Sequence, residues 1–372
     1  MRTRAKIHLD RFSGNIGAVK TRIGQDRRIC LPVKANGYGH GAVEIARASM
    51  EAGVYCLGIA VVTEGTVLRK GGITAPVLLF SQPHPDEIPE VISAKLIPFI
   101  SDKWFADALN KQAFIDKVKL PVHIKIDTGM GRVGCFPEEA LSLAQHITAC
   151  PSLELAGTAT HFAASDSIDA QDIAYTQRQF TRFKEAVDAI KSAGIDPGIV
   201  HAANSGAVIL HPETWLDMVR PGILLYGYKT VEENTAVNKP IKVQPVMELI
   251  STVTIIKRVK KGETVSYGRT WTASRDTDIA VLPVGYGDGF PRLASNKWQV
   301  VIRGKKYPQV GRICMDQCCV DLGPESDVQR WDEAVIFGGN APDAESLAET
   351  VNTIPYEITS NINRRVPRVY AS

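Results

Sequence analysis

Residues 29–41 of the 372-residue chain read ICLPVKANGYGHG and decide the first part of the fold. The apolar run Ile29–Val33 is short and is followed by a glycine-rich turn, a pattern that is typical of a buried strand. Lys34 therefore lies at the C-terminal end of this strand, where α/β folds place their chemistry. The stretch is not a P-loop, because the lysine precedes the glycines. An amine in this position suits a covalent bond to a carbonyl group, which would give Lys34 a catalytic role. The alternative interpretation of Lys34 is an ordinary solvated lysine after a strand.

The same kind of apolar run recurs along the chain up to about residue 235. The further runs are Tyr55–Val61, Pro76–Phe80, Leu96–Ile100, Val122–Ile126, Leu153–Thr158, Gly198–His201 and Met218–Tyr226. Helical patterns lie between most of them, for example at Ala42–Glu51, Glu138–Ala149 and Tyr175–Ala193. Eight strands that alternate with helices predict a parallel (β/α)8 barrel of the TIM type. An open doubly wound sheet is the alternative, because periodicity does not show whether a sheet closes.

After residue 235 the helical periods vanish, and short runs rich in Val, Ile, Thr and Tyr predict a mostly β domain. These runs are Met247–Val259, Asp278–Val284, Trp298–Arg303, Cys314–Leu322 and Glu333–Phe337. A polar stretch, Thr230–Lys239, is the predicted linker. We therefore expect a barrel over residues 8–235 and a C-terminal β domain over residues 236–372, to which residues 1–7 add a strand.

The composition excludes several classes of partner. The net charge is only +3 and the basic residues are scattered, which argues against nucleic acid or an anionic membrane. No signal peptide and no run of about 18 apolar residues is present, so a cytoplasmic protein is expected. Seven cysteines without a Cys-x-x-Cys pair are expected to be free thiols, and eight histidines without His-x-x-x-His spacing predict no metal site.

The segment Val33–Gly41 resembles the cofactor-lysine motif of alanine racemases, and the resemblance returns at several separate places over nearly the whole chain. These places include Thr160–Ala163, Met218–Ile223, Val265–Trp271 and Gly311–Asp316. The resemblance implies a barrel that binds pyridoxal 5'-phosphate (PLP), followed by a β domain. It also implies a head-to-tail homodimer with active sites shared across the interface.

Several residues match the cofactor ligands of this family. Lys34 matches the lysine that holds PLP, and His161 matches a histidine that packs near the cofactor ring. The residues that match phosphate ligands are Tyr38, Ser205, Gly222, Ile223 and Tyr356. The position of Ser205, Gly222 and Ile223 independently favours phosphate, because backbone N–H groups converge in the loops after the last strands of such barrels, and ordinary turn residues are the alternative.

Arg220 matches the residue that faces the pyridine nitrogen of the cofactor in this family. Arginine has only donors and is effectively always charged, so it cannot usefully protonate that nitrogen. The ring would then stay a weak electron sink, which favours return of the proton over transamination. The residue type by itself also fits a structural salt bridge.

The resemblance assigns further residues to the substrate. Arg132 would position the substrate carboxylate through its bidentate fork, and Met315 would crowd the space around the substrate side chain. Lys125 matches a lysine that some relatives carry as a carbamate, and a plain charged lysine is the alternative. Lys34 and Tyr267 match the two catalytic bases, with Tyr267 reaching the cofactor of the other subunit. Each tyrosine taken singly also fits a packed or interface aromatic residue.

The expected function is therefore a PLP-dependent racemase that interconverts L- and D-alanine by a two-base mechanism and supplies D-alanine for peptidoglycan. The nearest alternative is a serine or broad-specificity amino-acid racemase on the same scaffold. The alternative from another class is a non-catalytic PLP-binding protein. Such relatives consist of a barrel alone, so the β domain with Tyr267 argues against it.

Overall fold

The structure, a computed structural model, describes residues 2–229, 231 and 240–371. It divides into two compact units. One consists of Ser13–Gly37 and Ala42–Val243, and the other of Met1–Phe12, Tyr38–Gly41 and Gln244–Ser372. Of the predicted linker Thr230–Lys239, all but Val231 lies outside the described residues. The domain limits proposed from the sequence stay a prediction.

The first unit contains a closed barrel of eight parallel strands. They are β2 (Arg28–Pro32), β3 (Cys56–Ile59), β4 (Val77–Leu79), β5 (Leu96–Ile100), β6 (Leu120–Lys125), β7 (Leu153–Ala159), β8 (Ile199–His201) and β9 (Met218–Val219). The strand preceding them in the chain, β1 (Arg4–His8), belongs to the second unit. Parallel pairing of β2 with β9, in the register Ile29↔Val219, closes the barrel. The prediction of a TIM-type barrel is confirmed, and the open sheet is excluded.

Helices follow most barrel strands, as the alternating pattern predicts. They are α2 (Ala42–Glu51), α3 (Val62–Lys70), α4 (Ile88–Ser93), α5 (Lys103–Ile115), α6 (Ala140–Ala149), α7 (Ala170–Ser192) and α8 (Ser205–Leu210), and α1 (Leu9–Ile23) precedes the barrel. The α7 helix begins five residues before the predicted Tyr175, because the Asp169 carboxylate accepts the N–H of Gln171 and caps the first turn. Side chains of the strands fill the barrel interior with an apolar cluster: Cys30, Cys56, Leu78, Phe99, Ala159 and Met218.

The second unit is built on a nine-stranded sheet with the order β11-β14-β17-β16-β15-β18-β10-β1-β19. Its remaining strands are β10 (Met247–Thr252), β11 (Ile255–Val259), β14 (Thr277–Leu282), β15 (Gln299–Ile302), β16 (Lys305–Val310), β17 (Cys318–Gly323), β18 (Glu333–Phe337) and β19 (Arg368–Ala371). A separate hairpin joins β12 (Thr264–Val265) to β13 (Trp271–Thr272). The β1 strand pairs antiparallel with β10 and parallel with β19.

The prediction of a mostly β domain after residue 235 is confirmed, and the unit also contains helices that the vanished helical periods did not indicate. Two short helices, α9 (Ala344–Val351) and α10 (Pro355–Ser360), lie in this unit. They span only eight and six residues, too few for the periodicity of a helix to stand out. Their start signals are the Asp343 carboxylate, which caps α9, and Pro355 in the first turn of α10. Among the described residues, no helix is both long enough and apolar enough to cross a membrane.

Candidate active site

Lys34 begins a short left-handed turn that follows strand β2. Ala35, Asn36 and Gly37 have φ values of 51°, 56° and 63°. A residue other than glycine in this conformation costs about 1–2 kcal/mol, so the surroundings must hold the turn in place. The N–H of Gly37 donates to the Val33 carbonyl at 2.7 Å. Strained backbone of this kind is concentrated at functional sites.

Glu64, which sequence reasoning did not single out, holds the turn from the neighbouring helix α3. Its Oε1 accepts the N–H of Ala35 at 2.6 Å. Its Oε2 accepts the N–H groups of Ala60 and Val61 at 2.9 and 3.3 Å, which caps the first turn of α3. A glutamate at the third position of a helical run is the usual signal of such a cap. The sequence therefore contained the signal for the helix start, although not for the contact with Ala35.

The pKa of the Lys34 amine is lowered from its ordinary value. Burial is the largest cause, the charge of Arg132 lowers the pKa further, and Glu64 opposes both. A lowered pKa increases the fraction of neutral amine near neutral pH, and the neutral amine is the form that attacks a carbonyl.

Arg220 is buried directly after strand β9, with a relative exposure of 6%. Its Nη2 donates to the carbonyl oxygens of Thr160 and Ala202 at 2.6 and 3.0 Å, and Nη1 lies 2.7 Å from Nδ1 of His201. No carboxylate pairs with this guanidinium within residues 2–229, 231 and 240–371. Burial lowers its pKa to about 10, so Arg220 remains a cation at neutral pH.

Several basic side chains of the barrel lie near His161. Nδ1 of His161 lies 3.4 Å from Nη2 of Arg220. The pKa of His161 is well below its ordinary value, first because of burial and then because of nearby positive charges. Those charges belong to Arg220, Lys125, Arg132 and Lys34. One end of the barrel therefore concentrates two arginines and two lysines, which favours an anionic ligand.

Lys125 ends strand β6 and is buried, with an exposure of 6%. Its Nζ has no hydrogen-bond partner among the described residues. Burial lowers the pKa of this amine well below its ordinary value, and the charges of Arg220 and Arg132 lower it further against the opposing charge of Asp127. A buried amine without a partner is unusual and requires an explanation.

Arg132 is exposed, and the loop that carries it is fixed by Asp127. The carboxylate of Asp127 accepts the N–H groups of Gly129, Gly131 and Arg132 at 2.9, 3.1 and 2.8 Å. Burial raises the pKa of Asp127, but these backbone donors outweigh burial and the net shift is downward. The loop therefore has a defined shape, while the Arg132 side chain stays accessible.

Ser205 connects the loops after the last two barrel strands. Its Oγ accepts the N–H of Gly222 at 3.0 Å and that of Leu224 at 3.4 Å. Neither contact uses the hydroxyl proton, which has no acceptor in the part of the chain that the structure describes and is available to a ligand. Ile223 is buried next to Gly222 in the same turn.

The other predicted site residues lie in the second unit. Tyr38 packs against Tyr356 of helix α10, with ring centroids 5.6 Å apart. Tyr267 follows a left-handed Ser266, whose φ is 67°, and 72% of its surface is exposed. Met315 is also exposed.

One group of potential metal ligands lies elsewhere, on the outer helices α5 and α6. Ligand atoms of Asp107, His146 and Cys150 are within 4.8 Å of one another, and Nε2 of His146 lies 2.7 Å from Oδ1 of Asp107. A search for His-x-x-x-His spacing misses this mixed group, because one member comes from another helix.

Comparisons with known proteins agree with this architecture. Residues 7–230 match the family model "Alanine racemase, N-terminal domain", and residues 246–370 match "Alanine racemase, C-terminal domain". The chain is 47% identical over 374 residues to an alanine racemase of Treponema denticola, covering 99% of this chain and 98% of the relative. It is 44% identical to an alanine racemase of Treponema pallidum subsp. pallidum, covering 98% of each.

A solved structure agrees in shape as well. The alanine racemase of Clostridium difficile 630 superimposes with a TM-score of 0.93 at 35% sequence identity, covering 100% of this chain and 96% of that one. Both halves of the chain match the family models in order, and the identity to curated relatives extends over the full length. The chain therefore belongs to the alanine racemase family.

Proposed function

We propose that the protein is a PLP-dependent alanine racemase that interconverts L- and D-alanine with two bases, Lys34 and Tyr267. The observation that carries the proposal is the convergence of four basic side chains, two arginines and two lysines, near His161 at the end of the barrel that bears Lys34. Such a site suits a ligand that brings a phosphate and a carboxylate, and a neutral Lys34 amine suits its aldehyde. The family membership supports the same reading.

The donors of the barrel fit the cofactor. The free hydroxyl proton of Ser205, and the backbone of Gly222 and Ile223 beside it, would hold the phosphate, with Tyr38 and Tyr356 as further ligands. Arg220 would face the ring nitrogen as a donor that stays protonated at neutral pH, and His161 would pack near the ring. When bound, PLP supplies an aldehyde for amine exchange and a ring that withdraws electrons from the α-carbon.

The substrate-binding and proton-transfer roles are assigned to different residues of this chain. Arg132 binds the substrate carboxylate, and Met315 limits the space for the substrate side chain. Lys34 takes or returns the α-proton on one face, while Tyr267 does so on the opposite face. Removal of the α-proton from one face and its return from the other inverts the configuration of the α-carbon, whereas a single base would mostly restore the original configuration. The exposed Tyr267 suits a role in the site of a second subunit, so we propose a homodimer that serves D-alanine supply for peptidoglycan.

The activity is tested with purified protein, added PLP and a panel of L-amino acids that includes alanine, serine and lysine. Chiral chromatography should show D-alanine forming fastest, because Met315, Tyr267 and Tyr356 would crowd the space around the substrate side chain. Faster turnover of serine would transfer the proposal to a serine racemase. Cofactor binding without any D-amino acid would identify a non-catalytic PLP-binding protein instead.

Lys125 is predicted to carry a carbamate. The pKa of its buried amine, which has no hydrogen-bond partner among the described residues, is lowered well below its ordinary value; this amine can add CO2 with loss of one proton, and the product is an anion beside Arg132 and Arg220. Protein equilibrated with 13C-bicarbonate should show a carbamate carbon signal by NMR, and Lys125→Met should lack it. In that variant the KM for alanine should rise about 10- to 100-fold, the size of one hydrogen bond to a charged group. A spectrum without the signal would leave Lys125 a plain lysine.

A further inference from the structure

We propose that His123 is a positioning residue for Arg220. His123 accepts a hydrogen bond from the Nε2–H of His201. This bond keeps the proton of His201 on Nε2, so that Nδ1 of His201 stays free to accept a hydrogen bond from the Arg220 guanidinium. The inference rests on the proposed function, because there Arg220 faces the ring nitrogen of the cofactor. His123 does not contact Arg220 directly, because His201 lies between the two side chains in the hydrogen-bonded series.

The three side chains form a continuous buried series. Nη1 of Arg220 lies 2.7 Å from Nδ1 of His201, and Nε2 of His201 lies 2.9 Å from Nδ1 of His123. Both histidines are buried, with exposures of 0% and 2%. They come from β8 and β6, strands that are neighbours of β7 on either side and are not consecutive in the chain.

The chemistry of arginine determines the direction of every hydrogen bond in this series. A guanidinium has donors and no acceptor, so Nδ1 of His201 must accept and cannot carry a proton. His201 is therefore neutral and carries its proton on Nε2. That proton points at Nδ1 of His123, which must accept in turn. Only one arrangement satisfies all three groups.

Charge and burial favour the same arrangement. The pKa of His201 is well below its ordinary value, mainly because of burial and then because of the Arg220 charge. Burial and Arg220 lower the pKa of His123 to about 3. Two neutral imidazoles next to an unpaired buried cation give Arg220 a fixed acceptor without neutralising its charge. A carboxylate at the position of His201 would supply an acceptor but would cancel the charge.

The surroundings leave the His123 ring little freedom. Phe99 stacks on it with centroids 6.0 Å apart and an interplanar angle of 17°. On the adjacent strand, a Cβ built on Gly157 would come within 2.4 Å of Cε1 of His123, so only glycine leaves room for the ring. The fold therefore positions a polar ring inside an apolar barrel, where a structural role alone would favour a hydrocarbon side chain.

The test compares His123→Leu with His123→Asn in protein labelled with 15N at histidine and arginine. In the wild type, long-range 1H–15N spectra should show His201 as a single neutral Nε2–H form, and the Nη hydrogens of Arg220 should exchange slowly. His123→Leu leaves the His201 proton without an acceptor, so we expect mixed ring states and faster Nη exchange. The amide oxygen in His123→Asn can accept the same proton and should restore most of the wild-type spectrum.

Activity provides the second measurement. His123→Leu should lower kcat by about 10- to 100-fold, the effect seen when outer hydrogen-bond partners of metal-ligating histidines are removed. KM should change little, because the proposed function assigns the substrate carboxylate to Arg132 and not to Arg220. The spectra can be recorded without substrate or cofactor, so an inactive wild type would refute the proposed function and leave this inference open to its own test.

Two further variants separate positioning from packing. Gly157→Ala keeps all three side chains but displaces the His123 ring, so its spectrum should resemble that of His123→Leu. Phe99→Leu loosens the packing and keeps every hydrogen bond, so the Nε2–H form should persist even if the melting temperature falls. The inference is overturned if His123→Leu retains the single Nε2–H form and slow Nη exchange, or if Phe99→Leu alters both equally.

Discussion

Tyr267→Phe is expected to lose racemisation by about 100- to 10,000-fold, the usual cost of removing a general base. Lys34 should still exchange the α-proton of one enantiomer in heavy water, and family resemblance assigns D-alanine to it. The expected result is therefore deuterium in recovered D-alanine with almost no L-alanine formed, measured by mass spectrometry after chiral separation. Tyr267 is 72% exposed, so loss of its hydroxyl should not lower the melting temperature appreciably.

Mixing inactive chains tests whether Tyr267 serves a second subunit. A heterodimer of Lys34→Ala and Tyr267→Phe chains contains one site with both bases intact if the sites are shared. Co-expression with two different affinity tags isolates that heterodimer, which should recover up to half of the wild-type activity per dimer. Tyr286→Phe is a matched control, since Tyr286 is another exposed tyrosine of the same unit without an assigned role as a base. Purified heterodimers that remain inactive would remove Tyr267 from the partner's site.

Lys34→Ala should abolish both the covalent attachment of PLP and racemisation, an effect at least as large as that of Tyr267→Phe. Lys34 follows strand β2, and burial with the nearby charge of Arg132 lowers the pKa of its amine, which favours the nucleophilic form. Borohydride treatment of the wild type should fix a pyridoxyl group on one peptide, and mass spectrometry should locate it at Lys34.

Two variants separate the amine chemistry of Lys34 from its charge. Lys34→Arg keeps a cation but has no nucleophilic amine, so it should be as inactive as Lys34→Ala. Small alkylamines added to Lys34→Ala should restore part of the proton exchange, because they replace the missing base without changing the fold. Modification of another lysine by borohydride in the wild type would show that the assignment of Lys34 is wrong.

The barrel strands and the position of Lys34 follow from local sequence alone. Each buried strand is a local run of apolar residues, and the lysine at the end of the first run is read directly from the chain. The capping signals of α3 and α9 were equally local. The short helices α9 and α10 were not predicted from the sequence, because eight and six residues are too few to show a helical periodicity.

The closure of the barrel and the contacts between polar groups inside it depend on the three-dimensional arrangement of the strands. The register Ile29↔Val219 joins strands that are about 190 residues apart, and no local pattern encodes such a pairing. The hydrogen-bonded series of Arg220, His201 and His123 likewise depends on the barrel, because His123 and His201 lie 78 residues apart in the sequence. A buried polar group must find a partner, but which partner it finds depends on which strands the closed barrel brings together.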